Sequence, residues 1–245
     1  MRNGEEDQMR NGEETRVEAR PARIPFAAEG ITLEADLAVP AHAKGIVLFA
    51  HGSGSSRFSR RNWAVARKLQ DAGFATLLLD LLTEEEEKAE ARTGHFRFDI
   101  EMLSVRLATA TNWAVAQRDL DGLPVGYFGA STGAAAAIVA AAALPQLVGA
   151  VVSRGGRPDL AGSALEELRA PTLLIVGGFD TVVMDLNREA LRRLSCIGRL
   201  EIIPRAGHLF EESGALEKVA DLARQWFNEY LVDTHAGVPQ YSNAS

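Results

Sequence analysis

Six short runs of largely apolar residues are the feature that most restricts the fold of this chain. The runs cover residues 45–50, 75–82, 125–129, 147–152, 171–176 and 200–203. Continuous apolarity over such lengths is typical of strands that are covered on both faces, as in a parallel sheet. Residues 31–39 instead alternate apolar and polar side chains, which predicts a half-exposed strand paired with the segment at 24–27.

Helical patterns separate these runs. Apolar side chains recur at three- and four-residue spacing over residues 62–72, 98–120 and 216–231. This alternation predicts an α/β fold with a doubly wound, mostly parallel sheet and helices on both faces. A closed barrel of eight β–α units is the alternative, but eight equivalent units are hard to count and the opening strands look antiparallel.

Three polar segments are expected to lie outside this framework. Residues 1–21 contain the sequence MRNGEE twice, and we expect them to be disordered. Residues 22–232 then form one domain, followed by a C-terminal tail at 233–245. Residues 83–93 carry four consecutive glutamates and no apolar anchor. They predict a solvated loop, with a mobile flap over a pocket as the alternative.

Composition argues against several classes of protein. The formal net charge is −7 and no long basic block is present, so we expect no nucleic-acid partner. No apolar stretch reaches the ~20 residues of a membrane span, and the N-terminus does not resemble a secretory signal. The single cysteine, Cys196, cannot form an internal disulfide, and we expect it to be buried. A cytoplasmic monomer or homodimer is the expectation.

The run at 125–129 leads directly into Gly129-Ala130-Ser131-Thr132-Gly133 and then into an alanine-rich helical segment. Gly-x-Ser-x-Gly between a strand and a helix is typical of a nucleophile held on a tight, strained turn. The glycines allow close backbone approach, and the helix start directs free N–H groups toward a developing oxyanion. Ser131 is therefore the candidate nucleophile.

A serine nucleophile needs a base and a carboxylate to orient it. His208 follows the last apolar run, and Asp180 follows the run at 171–176, so both are predicted at carboxyl ends of strands. The order Ser131, Asp180, His208 is the order that α/β-hydrolase folds use. Asp159 and Asp185 are the alternative acids, although helix capping explains Asp185 as well.

The oxyanion hole requires two backbone N–H groups. One is predicted from Thr132, after the nucleophile, and the other from Ser53, with Gly54 next, in the small-residue loop that follows the run at 45–50. His51 opens this loop. It is a second candidate base, but we expect it to brace the loop.

Several arginines follow predicted strand ends near this site. Arg57 and Arg154 are the candidate substrate-binding residues, together with Gly54, because their charges could attract a carboxylate-bearing substrate. Arg60 and Arg61 belong to the same group. Ordinary surface arginines are the alternative.

Four motifs together resemble the α/β-hydrolase superfamily and, within it, the dienelactone hydrolase family and small serine esterases. They are His51-Gly52-Ser53-Gly54, Gly129-Ala130-Ser131-Thr132-Gly133, Gly177-Gly178-Phe179-Asp180 and Ala206-Gly207-His208. The resemblance covers about residues 22–232. It implies an eight-stranded, mostly parallel sheet and a Ser/Asp/His triad without metal or organic cofactor. Dienelactone hydrolases carry a cysteine where this chain has Ser131, which favours a serine esterase instead. No long insertion precedes Asp180, so we expect no large cap domain.

The expected function is a carboxylesterase-like serine hydrolase that cleaves small esters or lactones through an acyl-enzyme. An acyltransferase or a small peptidase could use the same triad. A non-catalytic binding protein on a hydrolase fold is the alternative from another class, since fold alone does not give function.

Overall fold

The structure is a computed structural model that describes residues 17–232. Eight strands form one open sheet in the order β1-β2-β4-β3-β5-β6-β7-β8. The strands are β1 (Arg20–Phe26), β2 (Ile31–Ala38), β3 (Ile46–Ala50), β4 (Ala75–Leu79), β5 (Val125–Ala130), β6 (Val148–Arg154), β7 (Thr172–Gly177) and β8 (Gly198–Ile203). The first two strands pair antiparallel, β2 pairs antiparallel with β4, and every other pairing is parallel. The predicted open α/β sheet is confirmed.

Within the described residues, seven α-helices accompany the sheet, and the apolar faces of most of them form two cores. They are α1 (Arg60–Asp71), α2 (Glu84–Thr93), α3 (Ile100–Val115), α4 (Thr132–Ala143), α5 (Ala164–Glu167), α6 (Thr181–Arg193) and α7 (Ala215–Phe227). Helices α1 and α7 pack on one face of the sheet, whereas α3, α4 and α6 pack on the other. The helix predicted at 98–120 is shorter than expected, because a 3-10 turn at Phe96–Phe98 precedes α3.

The solvated loop predicted at 83–93 is wrong, because these residues form α2. Thr83 and Glu86 cap the helix reciprocally: the Thr83 N–H donates to Glu86 Oε2 at 2.8 Å, and the Glu86 N–H donates to Thr83 Oγ1 at 3.3 Å. The helix ends at Gly94, whose φ is +64°. Ion pairs anchor the helix in place of the missing apolar side chains.

The predicted disorder at 1–21 is wrong for Arg20 and Pro21, which begin β1 and pair with β2. Residues 1–16 and the predicted tail at 233–245 lie outside the described residues. Within residues 17–232, no helix is long and apolar enough to cross a membrane.

The connection between β6 and β7 is short, with one 3-10 turn (Pro158–Ala161) and the four-residue α5. The expected absence of a large cap there is confirmed. The carboxyl ends of β3, β5, β6, β7 and β8 consequently lie open at one edge of the sheet. In open α/β sheets this edge is where ligands bind.

Candidate active site

Ser131 lies at the sharp turn between β5 and α4, in a backbone conformation that residues other than glycine rarely adopt. Its φ is 51° and its ψ is −122°. The Ser131 N–H donates to the Arg154 carbonyl at 3.3 Å, and the Ser131 carbonyl accepts from the Arg157 N–H at 3.1 Å. Strained residues persist only where their surroundings fix them, and these bonds to the end of β6 do so here.

Glycines on three sides permit this turn. A Cβ atom at Gly129 would lie 2.4 Å from a backbone atom of α4, and one at Gly133 would lie 2.3 Å from a carbonyl oxygen at the end of β3. A Cβ atom at Gly52 would lie 2.9 Å from the Ser131 Cβ. Any side chain at these positions would therefore displace the backbone that carries the serine.

The candidate acid and base are in direct contact. The Asp180 Oδ2 lies 2.7 Å from the His208 Nδ1. Asp180 follows β7 and directly precedes α6, yet its side chain makes no capping bond to that helix. The carboxylate thus faces the histidine, and an Nδ1–H donated to it leaves Nε2 available toward a nucleophile. The Asp180 side chain is 17% exposed and that of His208 is 39% exposed.

The two alternative acids have other partners. Asp159 accepts two bonds from the guanidinium of Arg157, at 2.8 and 2.7 Å. Asp185 accepts from Arg188 at 2.9 Å on the outer surface of α6. Neither carboxylate has a hydrogen bond to His208 within the described part of the chain.

The segment after β6 brings the serine and the histidine to the same place. Gly155 directly follows the residue whose carbonyl accepts the Ser131 N–H. A Cβ atom at Gly155 would lie 3.2 Å from the His208 carbonyl oxygen and 3.5 Å from the His208 Cε1. Ser131, Asp180 and His208 therefore gather around the carboxyl end of β6.

The loop after β3 lies against the start of α4. The Ser53 and Thr132 hydroxyls are 3.2 Å apart and hydrogen bonded. Among residues 17–232, neither the Ser53 N–H nor the Thr132 N–H has an acceptor. Two free backbone donors beside the serine are what an oxyanion hole requires.

His51 braces this loop, in agreement with the sequence-based expectation. Its side chain is 5% exposed, its Nδ1 lies 3.0 Å from the Gly52 carbonyl, and its Nε2 accepts the Leu81 N–H at 3.0 Å. This pairing requires the neutral tautomer with the proton on Nδ1. Burial lowers the pKa of His51, which keeps the ring neutral.

A small cavity of about 10 Å³, with room for about one water molecule, lies beside the two free N–H groups. One wall is the loop of His51–Gly54 with Thr132. The opposite wall was anticipated only by the alternative interpretation of residues 83–93 as a flap over a pocket, and its mobility stays a prediction. It consists of α2 and its neighbours, and its residues are Leu82, Glu87, Glu90, Arg97 and Leu103. The capping pattern Thr83-x-x-Glu86 was the readable signal that a helix lies here.

Buried charge holds this wall in place. Glu90 is 2% exposed, and its Oε2 accepts the Phe96 N–H at 2.8 Å and the Arg97 N–H at 3.3 Å. The Arg97 guanidinium also pairs with Glu90. Glu87 faces the cavity without a cation, and burial followed by repulsion from Asp80 and Glu90 raises its pKa.

The candidate substrate-binding arginines differ in their surroundings. Arg57 pairs with Asp80 and, at 3.6 Å, with Asp36, and its guanidinium stacks on the Phe58 ring. Its charge is already neutralised, so a role in attracting substrate has little support. Arg154 is 8% exposed, and its Nη2 makes one long bond of 3.4 Å to the Asn62 side chain.

The described residues contain no group of three or more His, Cys, Asp and Glu side chains that could hold a metal ion. Cys196 is half-buried, at 3.9 Å from the Thr172 hydroxyl, and lies away from the site.

Solved structures with a similar fold include one close relative in sequence and one distant one. A dienelactone hydrolase from Anabaena variabilis is 56% identical, with a TM-score of 0.85 over 88% of this chain and 99% of that chain. Est1E from Butyrivibrio proteoclasticus is 16% identical, with a TM-score of 0.71 over 85% of this chain and 98% of that one. At that identity the second match concerns the fold alone.

Among curated proteins, two from Mycobacterium tuberculosis are 54% identical over 212 residues. They are named provisionally as phosphoribosyl transferases. The match covers 86% of this chain but 47% of theirs, so the chain spans about half their length. The model of the dienelactone hydrolase family matches residues 33–231. The chain therefore belongs to the dienelactone hydrolase family.

Proposed function

We propose that this chain is a serine hydrolase that cleaves small carboxylic esters or lactones. Ser131 is the nucleophile, His208 is the general base, and Asp180 orients the imidazole. The observation that carries the proposal is the 2.7 Å contact between Asp180 and His208, in a loop that touches the segment holding Ser131. A carboxylate that bonds to histidine instead of capping its own helix has a clear use in this chemistry.

The reaction follows from these positions. As Ser131 Oγ attacks the ester carbonyl carbon, His208 Nε2 takes the serine proton, and Asp180 stabilises the imidazolium. The carbonyl oxygen becomes an oxyanion that accepts from the Ser53 and Thr132 N–H groups, each worth about 3–4 kcal/mol. His208 protonates the leaving alcohol, and water then releases the acid by the reverse sequence.

The cavity beside the oxyanion donors favours a small substrate. Its volume is about 10 Å³, room for about one water molecule, and the opposite wall is held by the buried pair of Glu90 and Arg97. The short connection between β6 and β7 leaves the sheet edge open. A small or exposed ester fits such a site better than a long acyl chain.

The name of the mycobacterial relatives denotes transfer of a phosphoribosyl group. We do not extend that activity to this chain, which matches 47% of their length. The residues gathered at the sheet edge suit acyl transfer.

Replacement of the nucleophile is the direct test. Ser131→Ala should lower kcat for p-nitrophenyl acetate by about 10⁴-fold or more, because the variant lacks the hydroxyl proposed to form the acyl-enzyme. Ser163→Ala is the matched control, since the Ser163 side chain makes no capping bond and lies remote from the site. Wild-type turnover in Ser131→Ala would overturn the proposal.

Asp180→Asn should lower kcat by about 10⁴-fold with a smaller change in KM, because the amide favours the wrong imidazole tautomer. Asp185→Asn, on the same helix, is the control and should retain activity. If both variants behave alike, Asp180 does not orient the base.

Two further experiments separate the alternatives. A fluorophosphonate probe should label wild type and spare Ser131→Ala, whereas a non-catalytic binding protein would stay unlabelled. Product analysis with competing alcohols and amines distinguishes hydrolysis from transfer to another acceptor. A small peptidase would cleave amide substrates at rates comparable to esters.

A further inference from the structure

The start of α1 carries positive charge that the proposed hydrolysis does not use. Arg60 and Arg61 are its first two residues, and the guanidinium of Arg154 reaches its first turn from beneath. The first turn of α1 contains no acidic residue. The N-terminal end of a helix is already favourable for anions, because its free N–H groups and its dipole both present positive charge.

Arg154 is the unusual member of this cluster. It is 8% exposed, and its Nε and Nη1 have no partner among the described residues. Burial and the neighbouring Arg61 lower the pKa of Arg154 to about 10, and no acidic group contributes to that shift. A buried guanidinium without a carboxylate is costly unless a bound anion completes it.

The surrounding groups are also incompletely bonded. The Arg61 Nε is buried without a partner, although its Nη1 pairs at 3.2 Å with Glu211, an exposed carboxylate. The Arg60 and Arg61 N–H groups have no acceptor in residues 17–232, while the Ser59 hydroxyl caps the helix through Asn62 N–H. Several donors thus remain free around one place.

An open groove lies over the start of α1 and next to the loop of the candidate active site, and Arg154 is not among its lining residues. It is lined by Gly54, Ser55, Ser56, Phe58, Ser59, Arg60 and Arg61. Gly54 directly follows Ser53, the proposed oxyanion donor. A substrate whose ester lies at Ser131 could extend over this loop and place a second group at the helix start.

We propose that the start of α1 binds a phosphate monoester group of the substrate, with Arg60 and Arg61 in contact and Arg154 as a buried positive charge beneath. This inference rests on the proposed hydrolase function. Three guanidinium charges face one carboxylate, Glu211, so two positive charges remain and match a phosphate dianion better than a carboxylate. The phosphate ester bond is not broken. Water cleaves the carboxylic ester at Ser131, and the phosphate serves only for binding.

The test compares a matched pair of esters at low salt, glycerol 1-acetate 3-phosphate and glycerol 1-acetate, with acetate release as the readout. Wild type should prefer the phosphorylated ester at least tenfold in kcat/KM. Arg154→Met and Arg60→Gln should each reduce that preference to within about threefold, where the preference is the ratio of the two kcat/KM values measured on the same variant. Arg118→Gln, an exposed arginine remote from the groove, is the control and should keep the preference.

Every outcome bears on the proposal. Equal rates for the two esters in wild type, or parallel losses on both esters in Arg60→Gln, would overturn it. A carboxylate-bearing analogue, O-acetylglyceric acid, that is preferred over the phosphorylated ester would overturn the phosphate assignment.

A binding measurement separates this proposal from the proposed hydrolysis. If neither ester is cleaved, the hydrolase function fails. A rise in Tm with inorganic phosphate, seen in wild type and lost in Arg154→Met and Arg60→Gln, would still support the anion site. Absence of that rise in wild type would overturn it.

Discussion

Two buried arginines, one on each face of the sheet, differ in how completely their charges are paired. Arg106 in α3 is 1% exposed and donates to the Leu81 carbonyl at 2.8 Å, to both Glu86 oxygens at 2.7 Å, and to Glu29. Arg154 is nearly as buried, yet it has one long bond to Asn62 and no carboxylate. The Arg106 guanidinium therefore joins parts of the fold through ion pairs. The Arg154 guanidinium instead lacks a negatively charged partner among the described residues.

The consequence for stability should differ as much as the surroundings do. Arg106→Met leaves Glu86 and Glu29 without their cation and frees α2 from its main attachment, so the free energy of unfolding should fall by about 3–5 kcal/mol. Urea denaturation measures this. A loss below about 1 kcal/mol would mean that the ion pairs contribute little, as exposed pairs do.

At acid pH, wild type and Arg106→Met should differ less in their free energy of unfolding than at pH 7. The Arg106 guanidinium and the capping bond from Thr83 hold the pKa of Glu86 below its usual value of 4.5 against the effect of burial. A carboxyl with a depressed folded pKa stabilises the fold above the unfolded pKa, and this is lost as pH falls through the folded value. Urea unfolding at pH 7 and below pH 4.5 should give a smaller difference at the acid pH. A constant difference would contradict the role of Glu86.

Thr83→Ala should cost about 1 kcal/mol, because the capping bond to the Glu86 N–H disappears while the glutamate side chain remains. Thr93→Ala, at the other end of α2, is the matched control, since its hydroxyl donates to a carbonyl within the helix. Equal effects at both ends would indicate that the capping box does not position Glu86.

Arg154→Met should have the smallest effect, a change within about 1 kcal/mol in either direction, because it replaces an unpaired buried charge by an apolar chain of similar length. The measurement is urea denaturation without phosphate. A loss as large as that of Arg106→Met would mean that Arg154 has a structural partner, and the contrast between the two arginines would disappear.

Much of the fold follows from local sequence patterns. Continuous apolar runs identified the parallel strands, and alternation at 31–39 identified β2, whose residues alternate between partly and fully buried. Ser131, Asp180 and His208 could be proposed because each follows a strand, and parallel strands bring their carboxyl ends together. These patterns are local, so they can be recognised without knowing any tertiary contact.

What the sequence did not predict depends on distant partners. Helix α2 has no apolar stripe, and its attachment relies on Arg106, twenty residues after Glu86. From the sequence, Arg57 and Arg154 were equally good candidates for binding substrate. In the structure, however, Arg57 is neutralised by Asp36 of β2 and by Asp80, which directly follows β4. Whether a buried arginine finds a carboxylate partner depends on which strands and helices pack beside it. The spacing of apolar and polar residues along the sequence does not show this.

The close approach of the Gly52 backbone to the Ser131 side chain limits which substitutions these two loops can accept during evolution. Because a Cβ at position 52 would come within 2.9 Å of the Ser131 Cβ, the two loops fit only as a matched pair. Neither can be grafted from a relative without the other, so recombination should exchange 51–54 and 129–133 jointly. New specificity is then easier to reach through α2 and the groove at α1, because neither contains the backbone that fixes Ser131, the proposed nucleophile.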